Sequence, residues 1–300
     1  MRLKLVASSV VLAASALTAQ AADLPSKKSP VAAPVVASPW DFQIGGGLTS
    51  NYIFRGISQS NNAPSVTASG ELRYNFNDTY QGYVGVSGES IKLTNIDVSP
   101  AMELDTYGGL RGTWGAFSAD VGIWGYLYPG LGTTPTTGTT VWGGNWVTNP
   151  SWFELYGKLG YNITDSFSIG ANLFYTPSYI DTHAPGTYVS GTAKYTFGDF
   201  AISGELGRQF LGTTDVRHTP FTGVRNLPDY TYYNVGASYT YKFATLDLRV
   251  HGSSLSKRDC AAITGPTNVG PAIQSNVRSN YCGTAFVGTI SFALQGKDIK

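Results

Sequence analysis

Alternation between apolar and polar residues, sustained over unusual lengths, most limits the folds open to this chain. Between residues 40 and 54, Trp40, Phe42, Ile44, Gly46, Leu48, Tyr52 and Phe54 share one parity, while Asp41, Gln43, Thr49 and Asn51 share the other. Period 2 is the signature of a strand with one apolar face, and a run of about fifteen residues far exceeds the usual five or six. The pattern recurs near 65–76, 80–89, 101–114, 116–128, 151–163, 166–176, 186–197, 200–210, 230–241, 244–253 and 284–294. About twelve strands are therefore predicted, each of the length, roughly 9–11 residues or a little more, that crosses a bilayer at a tilt.

The connections alternate as well. Short turns at 77–79, 115, 164–165, 198–199 and 242–243 interleave with long loops at 55–64, 90–100, 129–150, 177–185, 211–229 and 254–283. An even strand number with short turns at one end and long loops at the other is the wiring of an outer-membrane barrel. The apolar parity carries one charged residue, Arg208, whereas Glu71, Arg73, Glu103, Asp105, Arg111, Asp120, Glu154, Lys158, Lys194, Glu205, Asp247 and Arg249 all fall on the polar parity. One face can meet lipid and the other can line a lumen. Aromatic residues of the apolar parity gather at the short-turn end, among them Trp40, Phe76, Trp114, Phe200 and Tyr241, as an interfacial girdle would. Tyr52 and Phe54 are read as the outer girdle, because Trp40 to Tyr52 at about 45° tilt would rise about 28 Å, near the ~25 Å apolar band of such barrels.

The ends and the composition fit this fold class, an all-β transmembrane antiparallel up-and-down β-barrel. Arg2 and Lys4 precede an apolar run from Leu5 to Leu17 and small residues around Ala21, which reads as a secretory signal peptide over 1–21. A Pro- and Ala-rich leader over 22–39 follows, then the barrel over 40–294 and a tail over 295–300. Losing Arg2 and Lys4 turns 20 basic against 19 acidic residues into 18 against 19, which argues against a nucleic-acid partner. Charged residues are only 13% of the chain, with 36 glycines and 19 tyrosines, which suits strands and turns better than a soluble surface. A soluble secreted sandwich is the rival at the level of fold.

The stretch "IGGGLTSNYIFRGISQSNNAPSVTASGELRYNF", residues 44–76, is similar to the first hairpin of the TorF porin family, whose first strand ends in Tyr-x-Phe-Arg-Gly-x-Ser-Gln-Ser. Tyr52, Phe54, Arg55, Gly56, Ser58, Gln59 and Ser60 occupy those positions. The resemblance is specific over about thirty residues and implies a pore in the cell outer membrane of a Gram-negative bacterium. The chain departs from the family in its long Gly- and Thr-rich loops and in extending past Phe292 and Leu294.

Candidate sites follow from the polar parity. Arg55 should point into the mouth, to pair with a lumen carboxylate, to meet an anionic solute, or to close loop hydrogen bonds. The strands carry nine inward acids (Asp41, Glu71, Glu89, Glu103, Asp105, Asp120, Glu154, Glu205, Asp247) against five bases, an excess that either favours cations or is absorbed by pairing between neighbours. Loop 129–150, with Trp142 and Trp146, has the length to fold inward as a constriction or to stand outside. Cys260 and Cys282 are expected to form a disulfide; two cysteines are too few for a zinc site, and no metal or cofactor is assigned. His183, His218 and His251 accompany no G-x-S-x-G, H-E-x-x-H or phosphate-binding motif, so no enzyme is predicted. The function expected is passive diffusion of small hydrophilic solutes or ions across an outer membrane whose lipid contacts the barrel. The alternatives are a closed structural or adhesive barrel acting through its loops and, behind it, a barrel lipid hydrolase.

Overall fold

The computed structural model describes residues 38–92, 100, 102–129, 151–214, 226–264 and 278–298. The signal peptide, the leader up to residue 37, His218, and the Trp142 and Trp146 loop lie outside the described residues.

Twelve antiparallel strands close into one barrel. They are β1 (Trp40–Thr49), β4 (Ser65–Asn75), β5 (Tyr80–Ser90), β6 (Met102–Trp114), β7 (Phe117–Leu127), β8 (Trp152–Asn162), β9 (Phe167–Thr176), β10 (Gly186–Phe197), β11 (Phe200–Leu211), β12 (Tyr230–Tyr241), β13 (Ala244–Ser253) and β14 (Ala285–Gln295). Each pairs with its sequence neighbours, and β1 pairs with β14 through Gln43↔Gln295 to Thr49↔Thr289, so no strand edge is left open. A two-stranded hairpin, β2 (Ile53–Phe54) with β3 (Ile57–Ser58), a 3-10 turn (Tyr179–Asp181) and a helix, α1 (Lys257–Thr264), belong to the long connections.

The outer surface of the wall is apolar. Leu206, Leu248 and Ile290 are 62%, 60% and 62% exposed, within a belt that includes Leu110, Val121, Leu155, Leu173 and Val235. A monomer in water rarely shows apolar patches beyond a few hundred Å², so a continuous belt of this kind calls for an apolar surrounding. At the short-turn end the exposed aromatics Trp40, Phe76, Trp114, Phe200 and Tyr241 ring the belt, and several touch, as Trp114 does Tyr80 and Phe117 at 5.7 and 5.8 Å between ring centroids. Arg208 also faces outward, at the long-loop rim, bonded to Thr231 Oγ1 at 3.3 Å.

The first strand is shorter than its alternation suggests, and the outer girdle is elsewhere. β1 ends at Thr49, and Tyr52 and Phe54, expected at the membrane surface, are 2% and 8% exposed inside the barrel. The reason is a change of direction: after Ser50 the chain leaves the wall and turns into the lumen. The aromatics that face outward at the long-loop end are Phe153, Tyr175, Phe210, Tyr233 and Phe286. On β11, the ten residues from Phe200 to Phe210 rise about 23 Å at a 45° tilt, which restores the expected band height.

Candidate functional site

Residues 51–60 do not lie in water above the barrel but fold down into its mouth, while Asn62 and Pro64 stay exposed. Ile53 pairs with Ser58 and Phe54 with Ile57, which leaves Arg55 and Gly56 as a two-residue turn with φ of 44° and 81°. Positive φ at both central positions is the requirement of a type I′ hairpin. Glycine meets it without strain, and at Gly56 a Cβ would also stand 2.9 Å from Ser253 Cβ and 3.0 Å from Tyr232 Cδ2. Asn51 anchors the hairpin base by accepting the Ser58 hydroxyl proton at 2.7 Å, while Ser60 Oγ accepts the Tyr52 N–H at 2.9 Å. The polar residues of the Tyr-x-Phe-Arg-Gly-x-Ser-Gln-Ser stretch thus hold a tightly folded plug together.

Arg55 fixes that plug to the far wall. Its Nη1 and Nη2 donate to Glu154 Oε1 and Oε2 of β8 at 2.8 and 2.7 Å, and Nη1 also to Gln209 Oε1 of β11 at 3.0 Å. Tyr126 donates its hydroxyl to Glu154 Oε2 at 2.9 Å. The guanidinium lies 4.2 Å from the Tyr188 ring centroid, 4.7 Å from that of Phe54 and 4.9 Å from that of Phe174. Arg55 and Glu154 side chains are 6% and 0% exposed. Burial works against the charge, but Glu154 outweighs it and holds Arg55 above its ordinary pKa. Of the readings open for Arg55, pairing with a lumen carboxylate is the one observed.

The last long connection closes over the hairpin. Ser58 donates its N–H to the Tyr281 carbonyl at 2.8 Å, and Ile57 bridges Cys282. Cys282 is joined to Cys260 in α1, Cα–Cα 5.9 Å apart, the pairing expected. α1 begins at a cap in which Ser256 Oγ accepts the Asp259 N–H at 3.1 Å and donates to Asp259 Oδ2 at 2.6 Å, and it buries Cys260, Ala261 and Ile263. Phe54, Ile57, Tyr126, Trp152, Tyr179, Ile263 and Tyr281 form one buried aromatic and aliphatic cluster across the upper lumen. A pocket lies between the hairpin, the 3-10 turn and α1, with Tyr128 and Glu103 in its wall.

Below the plug the inward charges pair. Arg111 donates to both oxygens of Glu71 at 2.9 and 3.0 Å and to Asp120 at 3.1 Å; Arg73 donates to Glu71 at 2.6 Å; and Arg249 grips Asp247 at 3.1 and 3.0 Å. Lys158 stands 4.6 Å from the Tyr156 ring centroid, opposite Asp120 in the register, and Lys194 is half-buried on β10. Tyr83 donates to Asp120 at 2.6 Å and is also bonded to Tyr156. Glu205 accepts the Tyr188 hydroxyl at 2.8 Å. The arginines are absorbed by pairing, so the acidic excess is not spread around the lumen. Apart from Glu205 on β11, it gathers at Glu89, Glu103 and Asp105 on β5 and β6, none of which makes an ion pair with a described residue.

His251 is buried on β13 with Nδ1 bonded to Tyr232 OH at 2.9 Å, and His183 is exposed in a loop. The plug escaped sequence reasoning although two signals mark it: an x-Gly pair between Phe54 and Ile57, the mark of a two-residue hairpin, and Ser256-x-x-Asp259, the mark of a helix start.

A family model described as "Bacterial protein of unknown function (Gcw_chp)" matches residues 33–249. No curated protein matches the chain. Among solved structures, similar chains include the NanC porin (11% identity, 84% of this chain and 100% of that one, TM-score 0.48) and the KdgM porin (10%, 84% and 98%, 0.42). An outer membrane channel from Pseudomonas putida F1 is similar at 10% identity, over 90% of this chain and 100% of that one, with TM-score 0.43.

Proposed function

We propose that this chain, which belongs to the Gcw_chp family of bacterial proteins of unknown function, is an outer-membrane channel for small hydrophilic solutes or ions, closed at its mouth by the hairpin 53–58. The observation that carries the reading is the division of labour between wall and plug. The wall is apolar outside and lined inside by polar and charged groups, the arginines among them held in fixed pairs, which suits a barrel in lipid around a polar bore. The obstruction is a separate short hairpin outside the barrel's strand ladder, held to the far wall by Arg55 on Glu154 and Gln209, to the last connection by Ser58 on Tyr281 and Ile57 on Cys282, and by the packing of Phe54 and Ile57. A loop held in this way can leave without unfolding the barrel, and passage then depends on its departure.

A closed barrel with a structural or adhesive role is the second reading, favoured by the buried cluster that fills the upper lumen. Efflux from proteoliposomes separates the two. Vesicles loaded with salts and small sugars should lose them slowly with the intact protein and faster with Arg55→Ala, while large dextrans stay inside. Retention of every solute by both proteins would decide for the structural barrel.

A further inference from the structure

Three carboxylates face one another on the inner wall just beneath the mouth. Glu89 pairs directly with Glu103 across β5 and β6, and Asp105 lies opposite Ser87. One carboxylate oxygen from each lies within 4.8 Å of the others, and the residues are 2%, 2% and 0% exposed. Like charges set directly opposite on neighbouring strands repel, and burying them unpaired costs far more. Glu103 has taken up its neighbours: Tyr52 and Tyr128 donate their hydroxyls to its two oxygens at 2.6 and 2.7 Å. The other two have one oxygen each against the wall, Glu89 Oε1 at 3.3 Å from Thr67 Oγ1 and Asp105 Oδ2 at 3.5 Å from Ser87 Oγ. Glu89 Oε2 and Asp105 Oδ1 are buried without a well-formed hydrogen bond, with Trp124 beside Asp105 and Ser87 beside Glu89 as their polar neighbours.

We propose that Glu89, Glu103 and Asp105 form a calcium site in the wall of the mouth. Calcium binds oxygen at about 2.3–2.6 Å, so oxygens of one coordination sphere stand no more than about 4.6–5.2 Å apart, and the three carboxylate oxygens, all within 4.8 Å of one another, are close enough to share one ion. The donors are carboxylates with the Ser87 and Thr67 hydroxyls beside them and no imidazole or thiolate, which selects a hard cation over zinc or copper. An irregular set of protein oxygens suits calcium, which tolerates varied geometry, better than magnesium, which demands a near-ideal octahedron. The ion would neutralise a repulsion that no described arginine or lysine relieves. It would also tie the plug to the wall, because Glu103 accepts from Tyr52, which precedes the hairpin.

The test is metal binding by the full mature chain in detergent micelles. Terbium serves as the luminescent stand-in for calcium, with excitation through tryptophan, since Trp124 stands beside Asp105. One saturable terbium signal per chain is expected, displaced by calcium with an affinity of about 10⁻⁴–10⁻³ M or tighter. Glu89→Gln with Asp105→Asn should weaken it at least tenfold, whereas Asp247→Asn, at a carboxylate gripped by Arg249, should leave it unchanged. The doubly neutralised variant removes repulsion, so it should fold at least as well, which heat-dependent gel mobility checks. Absence of a saturable signal, a signal that calcium does not displace, or equal binding by the neutralised variant would overturn the site and mean that the three acids share protons instead.

Discussion

The guanidinium of Arg55 meets both carboxylate oxygens of Glu154, at 2.8 and 2.7 Å, across the bore of the barrel and a separation of 99 residues. Removing one partner leaves a buried charge without a counterion, which costs about 3–5 kcal/mol, whereas replacing both by apolar residues costs much less. Glu154→Ala should therefore lower stability by about that amount, and Arg55→Met combined with Glu154→Leu should recover most of it. Urea unfolding in detergent micelles, followed by tryptophan fluorescence, checks the cycle; a loss in the double variant equal to the sum of the losses from Arg55→Met and Glu154→Leu taken singly would mean that the pair is not coupled.

The turn that presents Arg55 makes a second prediction. Gly56 sits at φ 81°, with Ser253 and Tyr232 against the position a Cβ would take. Gly56→Ala should cost about 1–3 kcal/mol and loosen the hairpin rather than the wall. Limited proteolysis should then cut within 50–64 while the barrel core survives, a result not expected for the intact protein.

Much of this architecture was legible in the sequence, for a specific reason. β10, β12 and β13 were read at their observed limits because a wall strand in lipid must alternate without error and its turns are short. The same rule misplaced Tyr52 and Phe54. Alternation tells which side chains share a face, but it cannot tell a strand that stays in the wall from one that breaks at Thr49 and re-forms as a hairpin inside. Arg55 was placed on the lumen side, yet Glu154 and Gln209 as its partners depend on which strands stand opposite, which no local pattern records. The gathering of Glu89, Glu103 and Asp105 likewise depends on the β5–β6 register.

The disulfide supports the roof over the plug. Cys260 and Cys282 are 22 residues apart, and a closed loop of that size stabilises by about 3 kcal/mol through the entropy of the unfolded chain. Replacing both cysteines by serine should lower stability by about that much and speed protease attack on residues 257–282. Identical cleavage with and without the bond would show that α1 is held by packing alone.

The two faces of the wall predict opposite responses to the same charge. Leu206 on β11 faces outward and Thr192 on β10 faces the lumen. Leu206→Lys should cost about 2–4 kcal/mol near the middle of a bilayer, while Thr192→Lys should cost far less. Folding yield into lipid vesicles, read by resistance to heat denaturation on gels, distinguishes them, and equal yields would argue against a lipid-facing belt.

Single-channel conductance in planar bilayers, recorded for the intact protein and for Arg55→Ala, tests the central claim most directly. The plugged barrel predicts rare, small openings for the intact protein and longer, larger current steps once the bond to Glu154 is lost, with both proteins folded by the gel criterion. Equal conductance in the two, whether large or absent, would contradict a channel closed by the hairpin.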